Sequence, residues 1–178
     1  MTRNTALRVA ELPHNASTPF DLRPEPAAMR ALAERLGLVD LRKLTFAGEI
    51  RASGRRDWEL RARLGATVVQ PCVVTLEPVT TRIETPVTRR FLAEMPQPEG
   101  AEVEMPEDDT IEPLGPEIDP AQVMEEALAL ALPLYPRKPG VELGEAVYAA
   151  PGVAPLRDED ARPFAALAQL RDALKNKD

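Results

Sequence analysis

The spacing of hydrophobic positions along this chain changes period twice. In Pro24–Leu36, Met29, Leu32, Ala33 and Leu36 recur on one helical face and Gly37 follows as a stop, so the pattern predicts a short helix. From Leu44 the period becomes two. Leu44, Phe46, Gly48, Ile50 and Ala52 alternate with Thr45, Ala47, Glu49 and Arg51, which predicts a half-buried strand. Ser53-Gly54-Arg55-Arg56 reads as a turn, after which Trp58, Leu60, Ala62, Leu64, Ala66 and Val68 alternate against Glu59, Arg61 and Arg63. A long antiparallel hairpin with its arginines opposite Trp58 is the natural pairing. A third strand over Arg82–Leu92 carries Ile83, Val87 and Phe91 on one parity, and Pro86 marks an edge or a bulge.

The helical period then returns. Asp119 is a good N-cap, Pro120 suits the first helical position, and Gln122 stands at the capping-box position. Val123, Met124, Ala127, Leu128, Leu130 and Ala131 give a wide apolar face to about Leu132, with Glu125 and Glu126 outside and Pro133 as terminator. Pro133–Pro155 reads as extended loop, and Pro163–Leu174 as a last helix with Phe164, Leu167, Leu170 and Leu174 on its apolar side. No internal repeat is visible. The elements predict a single α+β domain over residues 1–178, with an antiparallel, barrel-like sheet packed with helices. With 178 residues, 44% of them apolar, the chain can bury a core without disulfides or metal staples. Nineteen prolines against nine glycines imply stiff connections.

One cysteine cannot close an internal disulfide, no apolar run approaches a membrane span, and Met1–Ala10 lacks an apolar signal core. These features lead to the expectation of a soluble, cytoplasmic protein with no membrane partner. The formal net charge is −7, but it is unevenly laid out. Between Arg42 and Leu92 ten basic residues oppose five acidic ones, a local balance of +5. From Glu94 to Asp119 ten carboxylates occur without a Lys or Arg, among five prolines. That stretch reads as a solvated acidic loop at about 94–118, or as a lure for a basic partner.

The chemistry of common enzymes is missing. The glycines stand four or more apart, which excludes paired-glycine phosphate cradles, and no Gly-Lys-Ser/Thr loop exists. His14, the single histidine, cannot build a triad or a multi-histidine metal site and reads as a surface residue. Cys72 has no base nearby in sequence and reads as a buried structural thiol. Glu125 and Glu126 point about 100° apart on a helix and read as a solvated face rather than a paired-carboxylate site. No catalytic residue, metal, cofactor or small-molecule substrate is expected.

The run Gln70-Pro71-Cys72-Val73-Val74-Thr75-Leu76-Glu77-Pro78-Val79, followed by the Ile83–Phe91 strand, resembles the core signature of the bacterial YceD family, the large ribosomal RNA subunit accumulation proteins. Within the signature Cys72, Leu76, Glu77, Pro78 and Val79 carry the likeness. Ile118-Asp119 before a helix, then Leu134-Tyr135-Pro136-Arg137-Lys138-Pro139-Gly140, then the Pro163-Phe164 helix agree with the family in order. Many relatives have Cys-x-x-Cys at the signature. Here its second position is Thr75, which removes a zinc or redox reading. The resemblance implies a protein needed for normal levels of large-subunit (23S) ribosomal RNA, with no established catalytic residues. Separately from it, the basic segment suggests contact with ribosomal RNA or a large-subunit ribosomal protein, and Arg82, Arg89, Arg90, Arg137 and Lys138 are the candidate contacts. The alternative is an adaptor or chaperone that holds a basic ribosomal protein through the acidic segment.

Overall fold

The structure is a computed structural model that describes residues 5–95 and 110–142. The chain divides into two compact units, Met1–Pro139 and Gly140–Asp178, and every element described belongs to the first. The sequence-predicted helix over Pro163–Leu174 lies outside the described residues.

The predicted hairpin is the spine of the fold. Strand β3 (Asp40–Ser53) and strand β4 (Asp57–Pro71) pair antiparallel from Ser53↔Asp57 to Asp40↔Val69, and β4 pairs antiparallel with β5 (Pro78–Leu92) from Trp58↔Phe91 to Pro71↔Pro78. The inward row is the predicted one: Phe46, Ile50, Trp58, Leu60, Leu64, Ala66, Val68, Ile83 and Phe91 are buried. Strand β3 begins earlier than its period indicates. Leu41 and Leu44 both point inward, three residues apart, which a regular strand cannot do. A bulge between Arg42 and Thr45, with Lys43 at φ 52°, supplies the extra residue.

Two helices cover the inward row. Helix α1 (Pro26–Arg35) packs on β3 through Leu32 and Ala33. It ends in a Schellman arrangement: Gly37, at φ 65°, donates to Glu34 O and Leu38 donates to Ala33 O. Helix α2 (Pro120–Ala131) lays Val123, Met124, Ala127 and Leu128 against β4 and β5. Asp119 caps it by accepting from Ala121 N at 2.9 Å. Gln122 makes no capping box, because its amide bonds Glu126 instead.

The sheet is open, and this corrects the barrel-like expectation. Its order is β2-β3-β4-β5-β6, with β2 (Thr18–Leu22) and β6 (Ile111–Pro113) at opposite edges. Both edge strands are too short to meet, and the helices fill the concave side that closure would have enclosed. It is also not wholly antiparallel, since β6 runs parallel to β5. A second, two-stranded sheet joins β1 (Leu7–Arg8) to β7 (Glu117–Ile118), and Thr5 Oγ1 donates to Asp119 at 2.5 Å beside it. Part of the predicted acidic loop is therefore ordered structure, with Ile118 buried in the core. Residues 96–109 lie outside the described residues.

Candidate functional site

The outward face of the sheet carries the arginines, as the alternation requires, and no described helix covers it. Cross-strand register sets three rows: Arg51, Glu59 and Arg90; Glu49, Arg61 and Thr88; Ala47, Arg63 and Pro86. At the centre Glu59 is only 9% exposed. Arg51 donates to its Oε2 from Nε at 2.9 Å and from Nη2 at 2.7 Å, and Arg61 Nη2 lies 2.9 Å from Oε1. Burial pushes this carboxyl up, but the two guanidinium contacts more than offset it and hold Glu59 below the usual carboxylate range. Two arginines are thereby fixed on the surface around one charge. Arg63 makes no ion pair among the described residues.

The candidate contacts do not all belong to this face. Arg90 does, opposite Glu59. Arg82 does too, paired with Glu84 at 2.9 Å and near the Thr67 hydroxyl at 3.4 Å. Arg89 does not. It shares the parity of Val87 and Phe91, so it points under α2, where it is 13% exposed between Glu112 at 2.9 Å and Glu126 at 3.7 Å. An RNA phosphate cannot approach it without displacing those carboxylates. Burial raises the Glu112 carboxyl, with Arg89 opposing the rise and Glu126 adding to it. Glu126, its side chain 42% exposed, remains on the solvated side of α2 while it also faces Arg89. Glu125 likewise joins α2 to α1 by pairing with Arg35 at 2.6 Å. Among the other cations of the basic segment, Arg42 pairs with Asp40 and Arg56 with Glu94. The surplus seen in sequence is partly spent within the fold.

The signature residues build a clamp. Residues 72–77 form the tight loop from β4 to β5: Cys72 N donates to Glu77 O at 2.7 Å, and Leu76 N donates to Cys72 O at 2.9 Å. Pro78 starts β5, and Val79 pairs with Gln70. Leu76 adopts φ 61°, a left-handed conformation rare for leucine, while 77% exposed. The segment from Pro133 to Lys138 is fastened to this loop. Val73 N donates to Pro136 O at 2.9 Å, Gln70 Nε2 to Pro133 O at 3.2 Å, and Lys138 reaches the Glu77 carboxylate at 2.8 Å. Lys138 holds the Glu77 carboxyl low, and Glu77 in turn raises the Lys138 ammonium. Arg137 is exposed beside it with no ion pair among the described residues.

Cys72 sits inside the clamp, fully inaccessible. The Thr75 hydroxyl first, then the backbone N–H groups of Thr75, Lys138 and Val74, pull its thiol down to about 6. Thr75 therefore serves the sulfur as a hydrogen-bond partner where a second cysteine would have stood. Among the described residues no group of three or more metal-ligating side chains gathers, and no helix is long and apolar enough to cross a membrane. His14 stays exposed, its ring 4.9 Å from that of Trp58.

One recess of about 210 Å³ lies at the start of α2, where Glu112, Glu117, Asp119 and Glu126 line it with Phe91 and Ile118. The acidic stretch is thus partly folded into a negatively lined hollow, which composition alone did not reveal.

Comparison with curated proteins gives no match, and neither does comparison with solved structures. The family model described as large ribosomal RNA subunit accumulation protein YceD matches residues 60–171. That span takes in β4 from Leu60, β5, the Cys72 loop, α2 and the Pro136–Lys138 segment clamped to the loop. The chain belongs to the YceD family, whose name ties it to accumulation of the large-subunit ribosomal RNA.

Proposed function

We propose that this protein is a non-enzymatic, cytoplasmic factor of large-subunit ribosome biogenesis that supports synthesis, processing or accumulation of 23S ribosomal RNA by laying the arginine-bearing face of its sheet on RNA. The observation that carries the RNA contact is the set of Arg51 and Arg61 held on buried Glu59, with Arg90 opposite it in the register and Arg63 two residues along, on a face that no described helix covers. Guanidinium groups present planar, forked donors that match phosphate oxygens, and a shallow sheet face suits the wide minor groove or an unpaired strand of RNA. Glu59 holds Arg51 and Arg61 in place beforehand, so less side-chain entropy is lost on contact. Arg82 extends the same face, and Arg137 with Lys138 adds charge at the clamp.

The test is a salt titration of binding to a large-subunit RNA fragment. Phosphate contacts release counterions, so the affinity falls steeply with salt, and each arginine removed from Arg61, Arg63 and Arg90 lowers the slope by roughly one. Binding that is insensitive to salt, or a triple Arg→Gln variant that folds and keeps the slope, would sink the reading.

A second reading rests on the acidic recess. Glu117 and Asp119, beside the Glu112 and Glu126 that already face Arg89, suit a Lys or Arg side chain of a basic ribosomal protein, which would make the protein an adaptor. Capture of a ribosomal protein that survives ribonuclease and is lost in Glu117→Gln/Asp119→Asn would favour it.

A further inference from the structure

Strand β5 has a long open edge. On that side β6 pairs only with Arg90–Leu92, and among the described residues no other strand pairs with the stretch from Pro78 to Thr88. Arg90 N donates to Thr110 O at 2.9 Å, away from β4, and the β4/β5 register runs unbroken along the whole strand. Alternate residues of a regular strand direct their backbone groups the same way, so those of Thr88, Pro86, Glu84, Arg82 and Thr80 also face outward. Pro86 lacks an N–H and stands where that absence disturbs no bond to β4. Among the described residues no backbone group bonds the outward N–H groups of Thr80, Arg82 and Glu84.

We propose that a second copy of this chain pairs antiparallel along this edge, on a two-fold axis through Ile83. The sequence of the edge is self-complementary in that register and in few others. Centred on Ile83, Arg82 stands opposite the partner's Glu84 and Glu84 opposite the partner's Arg82, each as a pair that exchanges both backbone hydrogen bonds. Thr81 meets the partner's Thr85 on the other face. Registers centred on Arg82 or on Glu84 set like charges against each other, and one centred on Thr85 puts Pro86 in both central bonded pairs, whereas centring on Ile83 moves it out to the flanking pair with Thr80. Within one copy Arg82 and Glu84 pair at 2.9 Å while both are about half exposed, so exchanging partners costs little. Pro86 closes each end of the paired stretch, which confines it to one short register instead of an open-ended edge. The two sheets become one, and their outward arginine faces become continuous. The dimer stands on the edge alone and does not depend on the RNA reading.

Sedimentation velocity of the full chain over roughly a hundredfold range of concentration reads the dimer directly. Wild type self-associates. Glu84→Arg and Arg82→Glu each weaken the dimer by about tenfold or more, since two opposite-charge pairs become two like-charge pairs. The double exchange Arg82→Glu/Glu84→Arg restores it, with unchanged circular dichroism in every variant. Amide exchange at Arg82 and Glu84 slows as concentration rises. The proposal is overturned if wild type stays monomeric throughout the range, if the single exchanges leave association unchanged, or if the double exchange fails to restore it. Concentration-independent protection of those two amides overturns it as well, because another segment of the same chain would then occupy the edge.

Discussion

Replacing Glu59 with Gln removes one charge from the centre of the arginine face while keeping the side chain's shape. Both carboxylate oxygens are engaged, Oε2 by Arg51 and Oε1 by Arg61, and the residue is 9% exposed. Hydrogen bonds to a charged group contribute about 1.5–3 kcal/mol each when sheltered. The arginine side chains are 44% and 55% exposed, so water screens their end of the contact. After that discount the substitution costs about 1–2 kcal/mol at neutral pH, partly because the Gln NH2 must face a donor of one of the two arginines. For a chain of this size that lowers Tm by about 2–8 °C. The sign of the pH dependence follows from the lowered carboxyl. A folded-state pKa below the unfolded one gives stability that is complete above the unfolded value and is lost as pH falls through the folded value. Urea unfolding of wild type and Glu59→Gln at about pH 7 and about pH 3 should therefore show a gap that closes in acid. A gap of equal size at both pH values, or a variant more stable than wild type at neutral pH, would refute the reasoning.

Arg89→Ala leaves Glu112 and Glu126 facing each other under α2, and should destabilise by about 2–3 kcal/mol at neutral pH in urea titrations, with recovery in mild acid as the carboxylates protonate. Arg63→Ala, which loses no ion pair among the described residues, should stay within about 0.5 kcal/mol in the same assay. In Gly48→Ala the new methyl would overlap the Arg61 carbonyl oxygen and lie 2.5 Å from Ala62 Cα, both backbone, so thermal melts should show a loss of about 3 kcal/mol or more. Cys72, pulled down from 9.0 to about 6, makes wild-type stability rise as pH goes from 6 toward 9, the thiolate forming first in the folded state; Cys72→Ala should lack that rise. Its thiol should also resist a disulfide reagent until the chain unfolds, because it is fully buried.

The parts of this fold legible in the sequence are those whose pattern is long. The inward rows of β3 and β4 repeat over enough residues to declare both period and face, and Asp119-Pro120 marks the start of α2 with local chemistry. The short strands were not legible, because nothing local specifies them. Leu7 finds Ile118, and Ile111 runs beside Arg90, only when the chain has already folded. Barrel closure failed as an expectation for the same reason: edge strand length depends on distant partners. Arg89 is a different case. Its parity with Val87 and Phe91 was readable and placed it inside, but a count of basic residues treats every cation as exposed. The acid residues that receive it come from β6 and α2, and neither Glu112 nor Glu126 signals that role in its own neighbourhood. Likewise Thr75 reads as a lost metal ligand, and only the folded loop shows its hydroxyl helping to hold the Cys72 thiol low.

The central claim is that the arginine face supports large-subunit ribosomal RNA. It is tested most directly by the ratio of large- to small-subunit ribosomal RNA in cells depleted of the protein and supplied with wild type or with Arg61→Gln/Arg63→Gln/Arg90→Gln. Depletion should lower the ratio, wild type should restore it, and the triple variant, shown by circular dichroism to be folded, should restore only part of it. A folded triple variant that restores the ratio as fully as wild type would contradict the account.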